Sequence, residues 1–140
     1  MNERILHKLS EARDCITLVE EKLPKTYEGF KGMSRLERDG IYKNIEFAIQ
    51  SILDICAIIL KEKDLKVPSS DDDMLTILKE SKVFKSQVID TIKLMKSFRN
   101  RLVHRYGDID NELAYHNIKD GLKDFQIIFE DIKNIITADQ

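Results

Sequence analysis

The chain has 140 residues, the size of one domain with a single sizeable core, and we expect residues 1–140 to form one helical domain. Hydrophobic residues make up 42% and charged residues 34%, with two prolines and five glycines, which excludes a many-turned all-β fold and favours amphipathic helices. The net charge of −2 lacks the basic footprint of a nucleic-acid binder, so any contact with RNA or DNA must depend on a local patch.

Two long helices are predicted in the first half of the chain. The first ends at Pro24, which cannot continue a helix, and the second begins with Ser34 and Glu37, spaced as a capping box. The segment between them, "PKTYEGFKGM", is predicted to be a loop anchored on the bundle by Tyr27 and Phe30. The apolar residues that repeat every three or four positions are Ile5, Leu9, Ala12, Ile16, Val19 and Leu23, then Ile41, Ile45, Ala48, Ile52, Ile55 and Ile59.

Three further helices are predicted in the second half. A short helix runs from Asp71 to Glu80 after Ser70 as its cap, and a long helix from Phe84 ends near Tyr106 and Gly107. The last helix is opened by Asp110. Gly121 interrupts it at a cost of about 1 kcal/mol relative to alanine, which predicts close packing there. The apolar repeat of the last helix comprises Tyr115, Ile118, Leu122, Phe125, Phe129, Ile132 and Ile136.

These elements predict an all-α fold, an antiparallel four-helix bundle with an additional short helix. Several helices carry apolar residues outside the repeat that faces the core. On a small bundle, such extra apolar surface indicates a face that binds a partner. The simplest partner is a second copy, so we expect a homodimer. The extra apolar residues are Ile49, Ile58, Ile127 and Ile128.

No metal site, cofactor or membrane segment is expected. Cys15 and Cys56 lie in apolar-periodic segments and are interpreted as small buried hydrophobic residues. The acidic run from Asp71 to Asp73 is interpreted as helix capping rather than a metal site. The N-terminus has no apolar signal region, and the longest apolar run is too short to span a membrane, so we expect a cytoplasmic protein.

The stretch "SFRNRLVHRYGDID", residues 97–110, is the candidate functional segment. Cations near a helix C-terminus and a following glycine are ordinary capping features. Capping does not explain Asn100 one turn before His104, or the set Arg99, Arg101 and Arg105. Arginine holds phosphate oxygens in a fork and histidine transfers protons near neutral pH, so this set also suits a phosphodiester.

The segment "RNRLVHRY" resembles the R-x4-H-x-Y motif of the HepT-like toxins, a branch of the HEPN superfamily of helical-bundle proteins. The resemblance continues into "YGDID" and covers essentially the whole chain, which is therefore expected to be one HEPN-like domain. It implies the toxin of a type VII-like toxin–antitoxin pair, a metal-independent endoribonuclease paired with an MNT-type nucleotidyltransferase antitoxin. It further implies a homodimer in which the motif helices of both subunits line one composite cleft that takes RNA.

The resemblance also assigns roles to residues. Arg99 and His104 are the motif's catalytic arginine and histidine, and Asn100 occupies the polar position that follows the arginine. Tyr106 matches the tyrosine onto which the antitoxin transfers AMP. We interpret Arg101 and Arg105 as substrate-positioning cations, and Tyr106 remains open to a second interpretation as a half-buried helix cap.

Two alternatives to a ribonuclease stay open at this point. The cluster in residues 97–110 would also suit a non-catalytic helical dimer that binds a nucleotide or the nucleotidyltransferase partner, and the acidic net charge favours this interpretation. The third interpretation is a structural bundle with capped helices and no site.

Overall fold

The computed structural model describes residues 2–104 and 106–138, without the side chains of Asn2 and Tyr106. Four long helices form the bundle: α1 (Asn2–Lys22), α3 (Arg35–Glu62), α5 (Ser86–His104) and α6 (Asn111–Ala138). Two shorter helices, α2 (Tyr27–Lys31) and α4 (Asp71–Ser81), and a 3₁₀ turn at Tyr106–Asp108 complete the described elements. The prediction of an all-α bundle with a short helix after the second long helix is confirmed.

The long helices pack antiparallel around α3. Lys8 of α1 contacts Asp54 of α3, while the end of α1 lies beside the start of α3. Arg99 of α5 contacts Gln50, and α6 runs back along α5, with Asp131 accepting a hydrogen bond from Lys85 N over 3.2 Å. The buried side chains form one hydrophobic cluster between these helices. The expectation of one HEPN-like domain over residues 1–140 stays a prediction.

The helix ends follow the capping signals. Ser34 Oγ accepts from Glu37 N at 3.1 Å while Glu37 Oε1 accepts from Ser34 N at 3.0 Å, which is the predicted capping box. The hydrogen bond from Ser34 N to the Glu37 carboxylate, with a smaller contribution from the Ser34 side chain, holds the pKa of Glu37 below its usual value. Asp110 Oδ1 accepts from Leu113 N at 3.1 Å and so opens α6 as predicted.

The prediction of a loop between α1 and α3 is wrong in one part. Residues 27–31 form helix α2, because Thr26 Oγ1 accepts from Gly29 N over 3.2 Å at its start and Phe30 is fully buried against the bundle. The rings of Phe30 and Tyr115 lie 5.3 Å apart. Tertiary burial of Phe30, which the local glycines do not reveal, stabilises this turn of helix.

Three packing predictions are also wrong. A Cβ at Gly121 would meet nothing within 4 Å, so this glycine does not mark close packing. Ile49 and Ile128 lie in the core at 1% and 0% exposure rather than on a partner face. Ile127, by contrast, is 57% exposed and keeps that interpretation.

The prediction of buried cysteines is confirmed for Cys56 and wrong for Cys15. Cys56 is fully buried, which raises the pKa of its thiol to about 12, whereas Cys15 is half-buried at the edge of the core.

Across residues 2–104 and 106–138, the structure contains no helix with the length and apolar character needed to cross a bilayer.

Candidate active site

Helix α5 carries the candidate functional residues on a fixed element. Its core face is held by Val88, Ile92 and Leu102, which are 4% exposed or less. The helix ends at His104, earlier than predicted, and Tyr106 belongs to the separate 3₁₀ turn. Side chains at residues 99–104 therefore project from one rigid helical segment.

Arg99 lies at the junction of α3, α4 and α5. Its Nη1 donates to Gln50 Oε1 of α3 over 2.6 Å, and its Nη2 lies 3.8 Å from Asp71 Oδ2 of α4. The Nε atom is buried and has no hydrogen-bond partner among the described residues. The side chain as a whole is 18% exposed at this junction.

His104 and Arg101 lie on the outer side of α5. Both are exposed, and the Arg101 guanidinium carbon lies 5.6 Å from the centre of the Phe98 ring, a cation–π contact. Arg99 and His104 are five positions apart in the chain, which places them about 140° apart around the helix. One copy of the helix therefore presents its arginine and its histidine on different faces.

The remaining predicted residues have mixed outcomes. Asn100 is half-buried and lies one turn before His104 on the same face, as predicted. Arg105 and the side chain of Tyr106 lie outside the described part of the chain. Their predicted roles stay predictions.

The acidic start of α4 has a second function beyond capping. Ser70 caps the helix as predicted, since its Oγ accepts from Asp73 N at 3.0 Å, and Asp73 Oδ2 in turn accepts from Ser69 N at 2.9 Å. Asp72 Oδ1 instead accepts from Lys96 Nζ of α5 over 2.5 Å, a contact that holds the pKa of Asp72 below its usual value. Asp71 faces Arg99. Sequence patterns missed these contacts because they join positions about 25 residues apart.

Gln50 is a further site residue that the sequence analysis missed. It is half-buried in α3, and its Nε2 donates to Asp54 Oδ1 over 2.9 Å. The available signal was an amide between the buried residues Ile49 and Ser51 of an otherwise apolar stretch. No group of three or more His, Cys, Asp or Glu side chains within residues 2–104 and 106–138 is arranged to hold a metal ion.

Two grooves flank the end of α5. The larger, about 360 Å³, lies between α5 and α6, and Gly121 contributes to its floor. Arg101 stands on its α5 wall, and Asp120 and Asp124 stand on its α6 wall. The smaller, about 180 Å³, lies between α3 and α5 and includes Tyr42, Glu46 and Val103.

Tyr42 ties the smaller groove to the start of α6. Its hydroxyl donates to Asn111 Oδ1 over 2.5 Å, and burial raises the pKa of Tyr42 to about 12. Asn111 is the first residue of α6, and two residues separate it from the 3₁₀ turn at Tyr106–Asp108. This hydrogen bond therefore fixes the connection that follows the candidate site.

The family model for HepT-like ribonucleases matches residues 12–132, a segment that includes α5 and most of α6. The chain belongs to the HepT-like ribonuclease family. The predictions of a HepT-like protein and of the ribonuclease class are thereby confirmed at the level of the family. The matched segment contains Arg99, His104 and Tyr106, the positions on which the resemblance depends.

Relatives extend this similarity over nearly the full length of the HepT-like chain. An mRNA nuclease HepT from Shewanella oneidensis is 26% identical over 133 residues, which cover 95% of this chain and 98% of the relative. A putative RNase from Archaeoglobus fulgidus is 25% identical over 118 residues, 84% of this chain and 82% of the relative.

Solved structures share the fold. A tri-AMPylated Shewanella oneidensis HEPN toxin in complex with an MNT antitoxin superposes with a TM-score of 0.85 at 25% identity, covering 96% of this chain and 99% of the toxin. The cytosolic Bacillus subtilis protein YutE superposes with a TM-score of 0.82 at 20% identity, covering 99% and 92% of the two chains. The latter supports the helical fold alone.

Proposed function

We propose that this HepT-like protein is the toxin of a type VII-like toxin–antitoxin pair and acts in the cytoplasm as a metal-independent endoribonuclease. The observation that carries the proposal is an exposed His104 on the same rigid helix as Arg99, whose guanidinium is held by Gln50 and whose side chain is 18% exposed. The Shewanella relative named an mRNA nuclease supports RNA as the substrate.

The reaction proposed is attack of a ribose 2′-hydroxyl on the adjacent phosphorus. One His104 imidazole takes the 2′ proton, the 2′ oxygen bonds to phosphorus, and the bond from phosphorus to the 5′ oxygen breaks. A second, protonated His104 gives a proton to that leaving oxygen, so the products are a 2′,3′-cyclic phosphate and a 5′-hydroxyl end. Arg99 stabilises the negative charge that develops on the phosphorane, and Asn100 orients His104 or the phosphate.

A homodimer follows from this chemistry. Each copy has one His104, and the proposed reaction uses two proton transfers. Arg99 and His104 also diverge by about 140° around α5, which two facing copies would compensate. Residues Arg101 and Arg105 would then position the RNA backbone on either side of the cleft.

The groove between α5 and α6 is the surface that we assign to the second copy. Leu94, which lines this groove on α5, is 73% exposed, and Ile127 on α6 is 57% exposed. Its two walls carry opposite charges, Arg101 on one and Asp120 with Asp124 on the other. A twofold axis would bring the exposed apolar side chains of the two copies together.

The antitoxin partner proposed is an MNT-type nucleotidyltransferase that transfers AMP to Tyr106. The support comes from the similar toxin structure described as tri-AMPylated and in complex with an MNT antitoxin. AMP on Tyr106 would add a bulky anion two residues from His104, where it would both block and repel an RNA phosphate.

A non-catalytic binding protein is the second candidate. The observation that favours it is the pairing of Lys96 and Arg99 with Asp72 and Asp71, which reduces the positive charge offered to RNA. Such a protein would bind a nucleotide or the nucleotidyltransferase without cleaving RNA.

Cleavage of labelled RNA in EDTA separates the two candidates. We expect the purified protein to cleave RNA into cyclic-phosphate products without metal, and His104→Ala to abolish cleavage and growth inhibition. His7→Ala is the matched control, because His7 is exposed on α1 and pairs with Glu11 over 3.4 Å. Binding of RNA without cleavage, together with unchanged growth inhibition by His104→Ala, would refute the ribonuclease.

A further inference from the structure

A relay of polar side chains runs from α1 through α3 to Arg99. Lys8 Nζ donates to Asp54 Oδ2 over 3.2 Å, and Gln50 Nε2 donates to Asp54 Oδ1 over 2.9 Å. Gln50 Oε1 then accepts from Arg99 Nη1 over 2.6 Å. Three helices thus contribute to the placement of one guanidinium.

The relay determines which way the Gln50 amide faces. An ionised carboxylate only accepts hydrogen bonds and a guanidinium only donates them, whereas an amide has one side of each kind. With Asp54 on one side and Arg99 on the other, one amide orientation satisfies both partners. Asp54 therefore directs the Gln50 oxygen towards Arg99.

A neutral acceptor is the suitable group beside an arginine that must bind phosphate. A carboxylate at position 50 would neutralise the guanidinium and compete with the phosphate for it. The amide holds Nη1 without adding charge, while Asp71 stays 3.8 Å from Nη2, beyond hydrogen-bond distance. The amide thereby orients the guanidinium without adding a second carboxylate to that of Asp71, with which Arg99 forms an ion pair.

We propose that Gln50 is a positioning residue of the RNA site, which holds the Arg99 guanidinium for the scissile phosphate while Asp54 orients the Gln50 amide. The inference rests on the proposed ribonuclease function, in which Arg99 stabilises the phosphorane. Because misplacing a catalytic group by about 1 Å costs up to about 100-fold in rate, loss of the Gln50 contact affects turnover more than RNA binding.

The test compares Gln50→Met with Gln126→Met, since Gln126 is exposed on α6 and has no place in the site. We expect Gln50→Met to lower kcat about 10- to 100-fold with KM nearly unchanged, and Gln126→Met to leave both unchanged. Asp54→Asn keeps Gln50 but lets its amide turn over, so it should give a smaller fall in kcat. Thermal unfolding of each variant checks that the bundle is intact.

A spectroscopic measurement makes the contact itself visible. In protein labelled with ¹⁵N-arginine, the hydrogen bond should slow rotation of the Arg99 guanidinium and give resolved Nη proton signals, identified by their loss in Arg99→Lys. We expect these signals to disappear in Gln50→Met and to persist in Gln126→Met.

The outcomes separate the two proposals. If the wild-type protein cleaves no RNA, the ribonuclease function fails and the role of Gln50 in it fails as well. If the wild type cleaves RNA and Gln50→Met cleaves it at the same rate, or if the Arg99 signals survive in that variant, the positioning role alone is overturned.

Discussion

Arg99 shows, at the scale of single residues, how a helix patterned for packing also holds a functional cation. It lies where α3, α4 and α5 meet, with an amide and a carboxylate from two other helices around its guanidinium. The residue type and its position near the helix end are readable from the motif. Its partners Gln50 and Asp71 are not, because they come from distant parts of the chain and periodicity carries no information on such pairs.

The proposed antitoxin leads to a prediction about the modification of Tyr106. Coexpression with an MNT-type nucleotidyltransferase should add AMP to Tyr106 and suppress both RNA cleavage and growth inhibition, because the added phosphate repels the RNA backbone. Intact-mass and peptide mass spectrometry would locate the group. Tyr106→Phe should escape inhibition, and an inhibited complex with unmodified Tyr106 would contradict the prediction.

The phenol of Tyr42 gives a pH prediction. Its pKa is about 12 in the folded chain and about 10 when exposed, so the folded state binds the phenol proton more tightly. The corresponding stability is fully present below about pH 10 and is lost as the pH rises through about 12. Tyr42→Phe lacks this contribution at every pH.

Urea unfolding of the wild type and Tyr42→Phe across this range tests the assignment. The difference in free energy of unfolding, wild type minus variant, should shrink as the pH rises from about 9 to about 12. A difference that stays constant over this interval would show that the pKa of Tyr42 is the same in the folded and unfolded chain.

At the scale of elements, apolar periodicity and capping residues predicted the four long helices and α4. The prediction failed for α2, whose five residues contain Gly29 and are bounded by Gly32. Such a turn has almost no intrinsic helical stability, and burial of Phe30 against the bundle decides its conformation. The prediction of close packing at Gly121 was also wrong. A glycine in a helix indicates either close packing or an open groove, and Gly121 lines a groove.

The capping box at the start of α3 offers a stability prediction. Ser34→Ala removes the hydroxyl that accepts from Glu37 N, so we expect the free energy of unfolding to fall by about 1 kcal/mol. Ser10→Ala is the control, since Ser10 is exposed within α1 and alanine has the higher helix propensity. Equal effects of the two substitutions, measured by urea unfolding, would rule out the stabilising role of the cap.

At the scale of the whole molecule, the fold places the motif at one end of an antiparallel bundle with a charged groove beside it. The helical architecture was predictable from the sequence, whereas the catalytic roles of Arg99 and His104 stay predictions. The divergence of these two side chains around α5 was also predictable from helical spacing. The groove that would receive a second copy was not, because it depends on how α5 packs against α6.

The central claim is that two His104 side chains share one site, and mixing of subunits tests it most directly. Wild-type and His104→Ala chains are allowed to exchange subunits, with the exchange verified by native mass spectrometry, and RNA cleavage is measured against the wild-type fraction. If each dimer has one site that uses both histidines, an equal mixture keeps about a quarter of the activity, since random pairing leaves that share of dimers intact. Activity that falls in simple proportion, to about a half, or a protein that cleaves RNA as a monomer, would contradict the composite site.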